Sequence, residues 1–129
     1  MGYDFMLMRM DHQSADDFPI PCDSVTDDEC GGPLPWTKFR SWLLAIGGHE
    51  NGGVDSIWVD YGGEIGTINY GGGGEGEKVD CSCIYLDVHA EWEKVLEAFD
   101  YIQKLEPNSC LLDPQTGMFH DRSTFEKLL

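Results

Sequence analysis

Positive charge is scarce in this sequence. Its 129 residues contain eight Lys and Arg against 24 Asp and Glu, which gives a formal net charge of -16 at pH 7. A field of that sign repels phosphate groups and anionic lipid, and it attracts cations and basic proteins. The composition therefore argues against nucleic acid or membrane as a partner. Solubility needs only a few net charges, so the excess negative charge needs another explanation. A basic protein as a partner would supply one.

Long apolar runs are also missing, and the longest is far too short to span a bilayer. The first ten residues contain Asp4 and Arg9 and lack the cationic leader and small-residue cleavage site of a signal peptide. The cysteines form an odd set without the spacing of a disulfide scaffold. They are Cys22, Cys30, Cys81, Cys83 and Cys110. These features predict a cytoplasmic protein with free thiols.

Recognisable catalytic motifs are absent as well. The glycine-rich stretch 71–77 lacks the Lys-Ser/Thr of a P-loop, and its Glu75 and Glu77 would repel phosphate, so we interpret it as a hairpin connection. No serine lies in a G-x-S-x-G context. The closest histidine groupings are His89 with Asp87 and His120 with Asp121, but neighbours along a strand point to opposite faces.

Two stretches could hold a metal ion, although neither matches a known pattern. Cys81 and Cys83 would face the same way on a strand, and Cys22, Cys30 or His89 could add ligands, but the spacing is not that of a C-x-x-C knuckle. The alternative is that these cysteines are small buried residues. The acidic run 23–29 lacks the central glycine of an EF-hand loop. We therefore predict no cofactor and no metal.

The fold is predicted from alternating apolar patterns. The runs 54–61 and 64–70 flank Gly62-Gly63 and a third run spans 79–88, which together indicate a three-stranded antiparallel meander. The run 3–10 is apolar on both faces and predicts a central strand buried on both sides.

Helical spacing of apolar residues predicts helices over 35–46 and 90–105, the second with Asp87 as a possible cap. A last hairpin covers 109–120, and a terminal helix over 121–129 has Ser123 as N-cap with Glu126 completing a capping box. We thus expect one α+β domain over 1–129, with a mostly antiparallel sheet packed against two main helices.

Acidic residues concentrate in a long segment, 11–35, predicted to lie at the surface, and around the Gly62-Gly63 hairpin. Trp36, Trp58, Tyr61 and Tyr70 lie near these carboxylates, and aromatic anchors within a charged rim are typical of tight protein interfaces. The alternative is that these rings belong to the core. The predicted partner-binding residues are Asp16, Asp17, Asp27, Asp28, Glu29, Asp60, Tyr61, Glu64, Tyr70, Glu75 and Glu77.

The chain also resembles a known family in size, charge and general pattern. It opens with Gly2-Tyr3-Asp4-Phe5-Met6-Leu7 and closes with the turn Leu112-Asp113-Pro114-Gln115-Thr116-Gly117. In these respects it is similar to the small α+β immunity proteins encoded beside bacterial polymorphic or type VI secretion toxins. The resemblance implies a protein that binds a cognate toxin and blocks its active site, which is often a basic nuclease surface.

Three functions follow as hypotheses. The first is an acidic binding protein that neutralises a basic partner such as a toxin. The second is a small metal-dependent or thiol/histidine enzyme, which would bring Cys81, Cys83 and His89 together. The third is a structural or regulatory subunit whose acidic surface is only solvated.

Overall fold

The computed structural model describes residues 3–11, 17–25, 32–50, 56–62, 66–71 and 83–129. These residues form one sheet of eight strands and three α-helices, which confirms the predicted α+β class. The elements are β1 (Tyr3–Arg9), β2 (Ile20–Pro21), a 3-10 helix (Cys22–Ser24), α1 (Trp36–Ala45), β3 (His49–Glu50), β4 (Ser56–Asp60), β5 (Thr67–Gly71), β6 (Ile84–His89), α2 (Trp92–Leu105), β7 (Ser109–Asp113), β8 (Met118–His120) and α3 (Arg122–Glu126).

All neighbouring strands are antiparallel, in the order β2-β8-β7-β1-β6-β5-β4-β3. The predicted meander is β4-β5-β6, and its first turn uses Gly62 at a φ of 94°, which glycine adopts without a Cβ clash. Gly63 and the start of the third predicted run lie outside the described residues. β1 is central, between β6 and β7, as predicted.

The main hydrophobic core lies between the helices and one face of the sheet. Alternate strand residues such as Phe5, Ile68 and Leu86 point into it, as a half-buried sheet requires. Phe5 is fully buried at its centre, with its ring centroid 5.2 Å from that of Trp92 and 5.4 Å from that of Phe125. Tight packing of this kind holds the three helices on a single side of the sheet.

A second, smaller core covers only one end of the opposite face. It consists of Met10, Ile20, Cys110 and Phe119, so part of the segment predicted as acidic surface is packed against the sheet. No helix of the described residues packs on the rest of that face, and Asp4 is exposed there. The prediction that the first strand is buried on both sides is therefore wrong for its N-terminal half.

Two predicted helix caps are wrong. Asp87 lies within β6, and α2 begins after Glu91, which makes no capping hydrogen bond with its side chain. In α3 the N-cap is Asp121, whose Oδ1 accepts a hydrogen bond of 2.9 Å from the Thr124 N–H, so Ser123 lies two residues too late for the role. Both carboxyl and hydroxyl side chains can cap, and the backbone position decides between them.

Candidate protein-binding surface

The candidate surface is the part of the sheet that the described helices do not cover. We call it the open face: the side of β1, β6, β5, β4 and β3 that points away from the helices. Cross-strand pairing places one row of side chains straight across it. The row consists of Asp4, Asp87, Asn69, Trp58 and His49. Because paired residues on one face have Cβ atoms about 5 Å apart, this row forms a continuous surface.

Carboxylates and rings dominate the open face. The side chains of Asp4, Asp60 and Asp87 are exposed, and Tyr85 is 51% exposed. Trp58 is half-buried and stacks on His49, with ring centroids 4.5 Å apart. Aromatic rings are enriched at protein interfaces, and charged groups are found mainly in the rim around them, so the rings here are the candidate centre of a contact and the carboxylates its rim.

His89 and Asp87 lie close together on this surface, with Nε2 and Oδ1 3.3 Å apart. Neighbouring strand residues face opposite ways, and on that ground the sequence argues against this pair. That reasoning is wrong for His89 and Asp87, because they are two positions apart and share a face. Both side chains are largely solvated, at 42% and 54% exposure. The pair adds one group to the open face that becomes positive when protonated.

A shallow cavity of about 290 Å³ lies at the end of the open face where the β7-β8 turn rises beside β1. Its lining includes Asp4, Met6, Asn69, Tyr85, Asp87 and Gln115. We call it the Asp4–Asp87 pocket. Its apolar and acidic side chains are every second residue of β1 and β6, which all point to the same face. The register between the two strands therefore brings them together.

The described cations lie elsewhere. Apart from Arg9 at the end of β1, each Lys and Arg in the described part of the chain lies on a helix or directly after one. Several are paired with carboxylates. Arg9 lies 3.0 Å from Asp11, Arg40 pairs with Glu50, Lys94 lies 3.5 Å from Glu97, and Arg122 lies 2.5 Å from Asp100. Within the described strands, the open face thus carries negative groups and no Lys or Arg.

The predicted site residues other than Tyr70 fall into three groups. Asp17 and Asp60 are exposed, and Asp60 also accepts a hydrogen bond of 2.8 Å from the Gly62 N–H. Tyr61 is half-buried on the helix side of the sheet. The remaining acidic candidates lie outside the described residues: Asp16, Asp27, Asp28, Glu29, Glu64, Glu75 and Glu77.

Tyr70 is not a surface ring, and this part of the prediction is wrong. It is fully buried in the main core, where its hydroxyl lies 2.8 Å from that of Tyr61. Burial raises the pKa of Tyr70 well above its usual value. Trp36, the other ring considered for exposure, is also buried, since α1 turns it toward the sheet. The core alternative therefore holds for these two residues.

Tyr85 was missed as a candidate, as were Asp4 and Asp87. Alternation along Ile84–His89 puts Tyr85 and Asp87 on the side opposite the buried Leu86 and Val88, so the pattern already separated them from the core. Asp4 stands out as the one charged residue among residues 3–8 of an apolar stretch. The sequence pattern could not predict that β1 pairs with β6, which brings Asp4 opposite Asp87, 83 positions away.

The described cysteines and His120, which the enzyme hypothesis would use, are not gathered into one site. Cys83 and Cys110 are buried, while Cys22 is exposed. His120 is buried, with Nδ1 3.2 Å from the Thr124 hydroxyl. Among the described residues, no three His, Cys, Asp or Glu side chains are placed to hold a metal ion. Cys30 and Cys81 lie outside the described residues.

The described helices are too short or too polar to cross a bilayer. The arrangement of one antiparallel sheet with helices on a single side defines an α+β protein with an open acidic face. Comparison with protein-family models, with characterised proteins and with solved structures gave no match.

Proposed function

We propose that this protein binds a basic protein partner and neutralises it, with the open face as part of the contact surface. The observation that supports the proposal best is the separation of the described Lys and Arg residues from the open face. Asp4, Asp60 and Asp87 lie exposed on the open face, whereas the described Lys and Arg residues lie on the helix layer or at the end of β1. A surface of one sign attracts a partner of the other sign and orients it during encounter.

Pairing on the helix side strengthens this separation. Arg9, Arg40, Lys94 and Arg122 each lie beside a carboxylate, so their charges are largely compensated where they stand. Ion pairs of this kind at a surface contribute little to stability. Their effect here is on the electrostatic field of the protein. They compensate carboxylates in the helix layer and beside the end of β1, and the carboxylates of the open face remain uncompensated by the described Lys and Arg residues.

A toxin domain is the partner that the family resemblance implies. Many toxins act on nucleic acid and therefore have a basic cleft, and an acidic protein surface can occupy such a cleft in place of the phosphate backbone. The exposed ring of Tyr85 and the half-buried ring of Trp58 supply apolar contact area within the acidic surface. Rings and carboxylates together would give both affinity and the correct orientation.

The experiment begins with the tagged full-length protein, used to capture its partner from the source cells, with identification by mass spectrometry. We expect a protein of basic isoelectric point whose expression alone is toxic and whose toxicity is relieved by co-expression of this chain. The double variant Asp60→Asn/Asp87→Asn should bind the captured protein more weakly. Glu93→Gln, an exposed carboxylate on α2, is the matched control and should bind normally.

Two results would contradict the proposal. One is a captured partner that is acidic or that binds the open-face variant as tightly as the wild type. The other is a basic partner whose activity is unchanged when this protein is bound to it.

A further inference from the structure

Asp4 and Asp87 are directly opposite each other on neighbouring antiparallel strands, and both line the Asp4–Asp87 pocket. Like charges in this position destabilise a sheet, because their side chains project from Cβ atoms only about 5 Å apart. Among the described residues, Asp4 takes part in none of the ion pairs found, and the one found for Asp87 is with His89. The free protein thus has a repulsive pair that a bound cation would relieve.

The shape of the pocket limits what that cation can be. Its volume of about 290 Å³ lies just below the roughly 300–1,000 Å³ seen for small-molecule sites, so it suits one long side chain. The Met6 side chain gives it an apolar contact for a methylene chain. Tyr85 stands at its edge with half of its surface exposed.

We propose that this pocket receives an arginine side chain of the basic partner. The planar guanidinium can donate to two carboxylates at once and stack on an aromatic ring, whereas the ammonium group of lysine is a point charge without a flat face. Asp4 and Asp87 accept from the guanidinium, Tyr85 covers its face, and Met6 contacts the stem. The Asn69 side chain in the same row lies beside the pocket as a further polar group.

This inference rests on the proposed function, since it names the group of the partner that the open face recognises. It also explains why the site combines a carboxylate pair with an aromatic ring. Arg and Tyr are both enriched among the few residues that carry most of the binding energy at protein interfaces. The pocket would then be the specific contact, while the other carboxylates set the long-range attraction.

The test uses N-acetyl-arginine-methylamide as the probe and N-acetyl-lysine-methylamide as its comparison, titrated into the ¹⁵N-labelled full-length protein at constant ionic strength. We expect the arginine probe to shift the amide signals of Gly71, Tyr85 and Asp87, and to bind more tightly than the lysine probe. The double variant Asp4→Asn/Asp87→Asn should weaken arginine binding about tenfold or more, since it removes both charged acceptors. Glu93→Gln should leave it unchanged.

Folding of the double variant is not at risk, because it removes a repulsion between exposed side chains. A second variant, Tyr85→Leu, keeps both charges and removes the ring, and it should reduce the preference for arginine over lysine to the part that comes from donation to two carboxylates. Equal binding of the two probes by the wild-type protein would overturn the inference, as would arginine binding that survives Asp4→Asn/Asp87→Asn.

The captured partner separates this inference from the proposed function. If Asp4→Asn/Asp87→Asn binds the basic partner with wild-type affinity, the pocket assignment is wrong and neutralisation by the rest of the acidic surface stands. If the pocket binds the arginine probe as described but the captured partner is acidic, the proposed function is wrong and the guanidinium site stands.

Discussion

The Tyr3 hydroxyl donates a hydrogen bond to the carboxylate of Asp113, 110 residues away in the sequence, and lies 2.8 Å from both of its oxygens. Asp113 is 2% exposed and accepts a second hydrogen bond, of 3.0 Å, from the Gln115 N–H. A buried carboxylate needs such donors, because an unpaired one loses its hydration without compensation. The bond ties β1 to β7 beside the turn that forms one rim of the Asp4–Asp87 pocket.

Replacement of this phenol should lower stability. In Tyr3→Phe the Asp113 carboxylate loses its side-chain donor, and hydrogen bonds to charged groups contribute about 1.5–3 kcal/mol. We expect the free energy of unfolding, measured by urea denaturation, to fall by about that amount. Tyr85→Phe removes an exposed hydroxyl and should change it by less than about 0.5 kcal/mol. Equal stability of Tyr3→Phe and wild type would show that the bond contributes nothing.

Alkaline pH should destabilise the protein partly through the same residue. Burial, the hydrogen bond to Asp113 and the charge of that carboxylate raise the pKa of Tyr3 from 10.0 to about 12. Since the folded state has the higher pKa, Tyr3 contributes stability that is complete below pH 10 and is lost as the pH rises toward 12.

The measurement is the free energy of unfolding on both sides of pH 10. Tyr3→Phe should show a shallower decline than the wild type. The decline should not vanish, because burial also raises the pKa of Tyr70. An unchanged slope in Tyr3→Phe would mean that other groups carry the whole effect.

Mild acid should destabilise the protein through His120. Burial lowers the pKa of this side chain from 6.5, against the opposing charges of Asp113 and Asp121. The unfolded chain then binds the proton more readily, so the free energy of unfolding should fall as the pH drops below about 6.5. His120→Asn should flatten that part of the stability profile, whereas His49→Asn, at an exposed position, should retain it. A profile that is the same in all three proteins would contradict the assignment.

The N-cap of α3 can be tested by two alanine substitutions. Asp121→Ala removes the acceptor of the Thr124 N–H and should cost about 1 kcal/mol of unfolding free energy. Ser123→Ala, at an exposed position inside the helix, should cost less. Urea denaturation measures the unfolding free energy of both variants. A larger loss in Ser123→Ala than in Asp121→Ala would support Ser123 as the N-cap, as predicted from the sequence.

Association with the captured basic partner should depend strongly on salt. Exposed charges are screened over a Debye length of about 10 Å at 0.1 M salt, so the on-rate gained by electrostatic steering should drop as salt is added. Stopped-flow association of the wild type should slow with ionic strength more steeply than that of Asp60→Asn/Asp87→Asn. An on-rate that does not change with salt would remove steering from the mechanism.

Local patterns predicted most of the elements. The strands of the meander, both main helices and the last hairpin follow from alternation, helical spacing and the positions of Gly and Pro, because these signals depend on residues that are close in sequence. The two-residue strands His49–Glu50 and Ile20–Pro21 were missed, since they are too short to show a period and exist only through pairing with β4 and β8.

The surface was predicted less well than the fold. Tyr70 looked like a surface ring from its acidic neighbours in sequence, yet its alternation with Asn69 puts it in the core. Asp4 looked like part of a buried strand, yet the helices that the structure describes pack on the other side of the sheet and Asp4 is exposed. In both cases the deciding fact was which face the helices occupy, and a strand pattern does not say which of its sides will be covered.

By itself, the sequence determined the scarcity of positive charge, the antiparallel meander and the two main helices, because composition and local periodicity require no long-range contact. Only the tertiary structure decided that Asp4 stands opposite Asp87 and that the described cations lie away from the open face. Those relations come from the pairing of β1 with β6 and from helices packed on one side of the sheet. Such contacts join distant parts of the chain, and their energies depend on the whole fold.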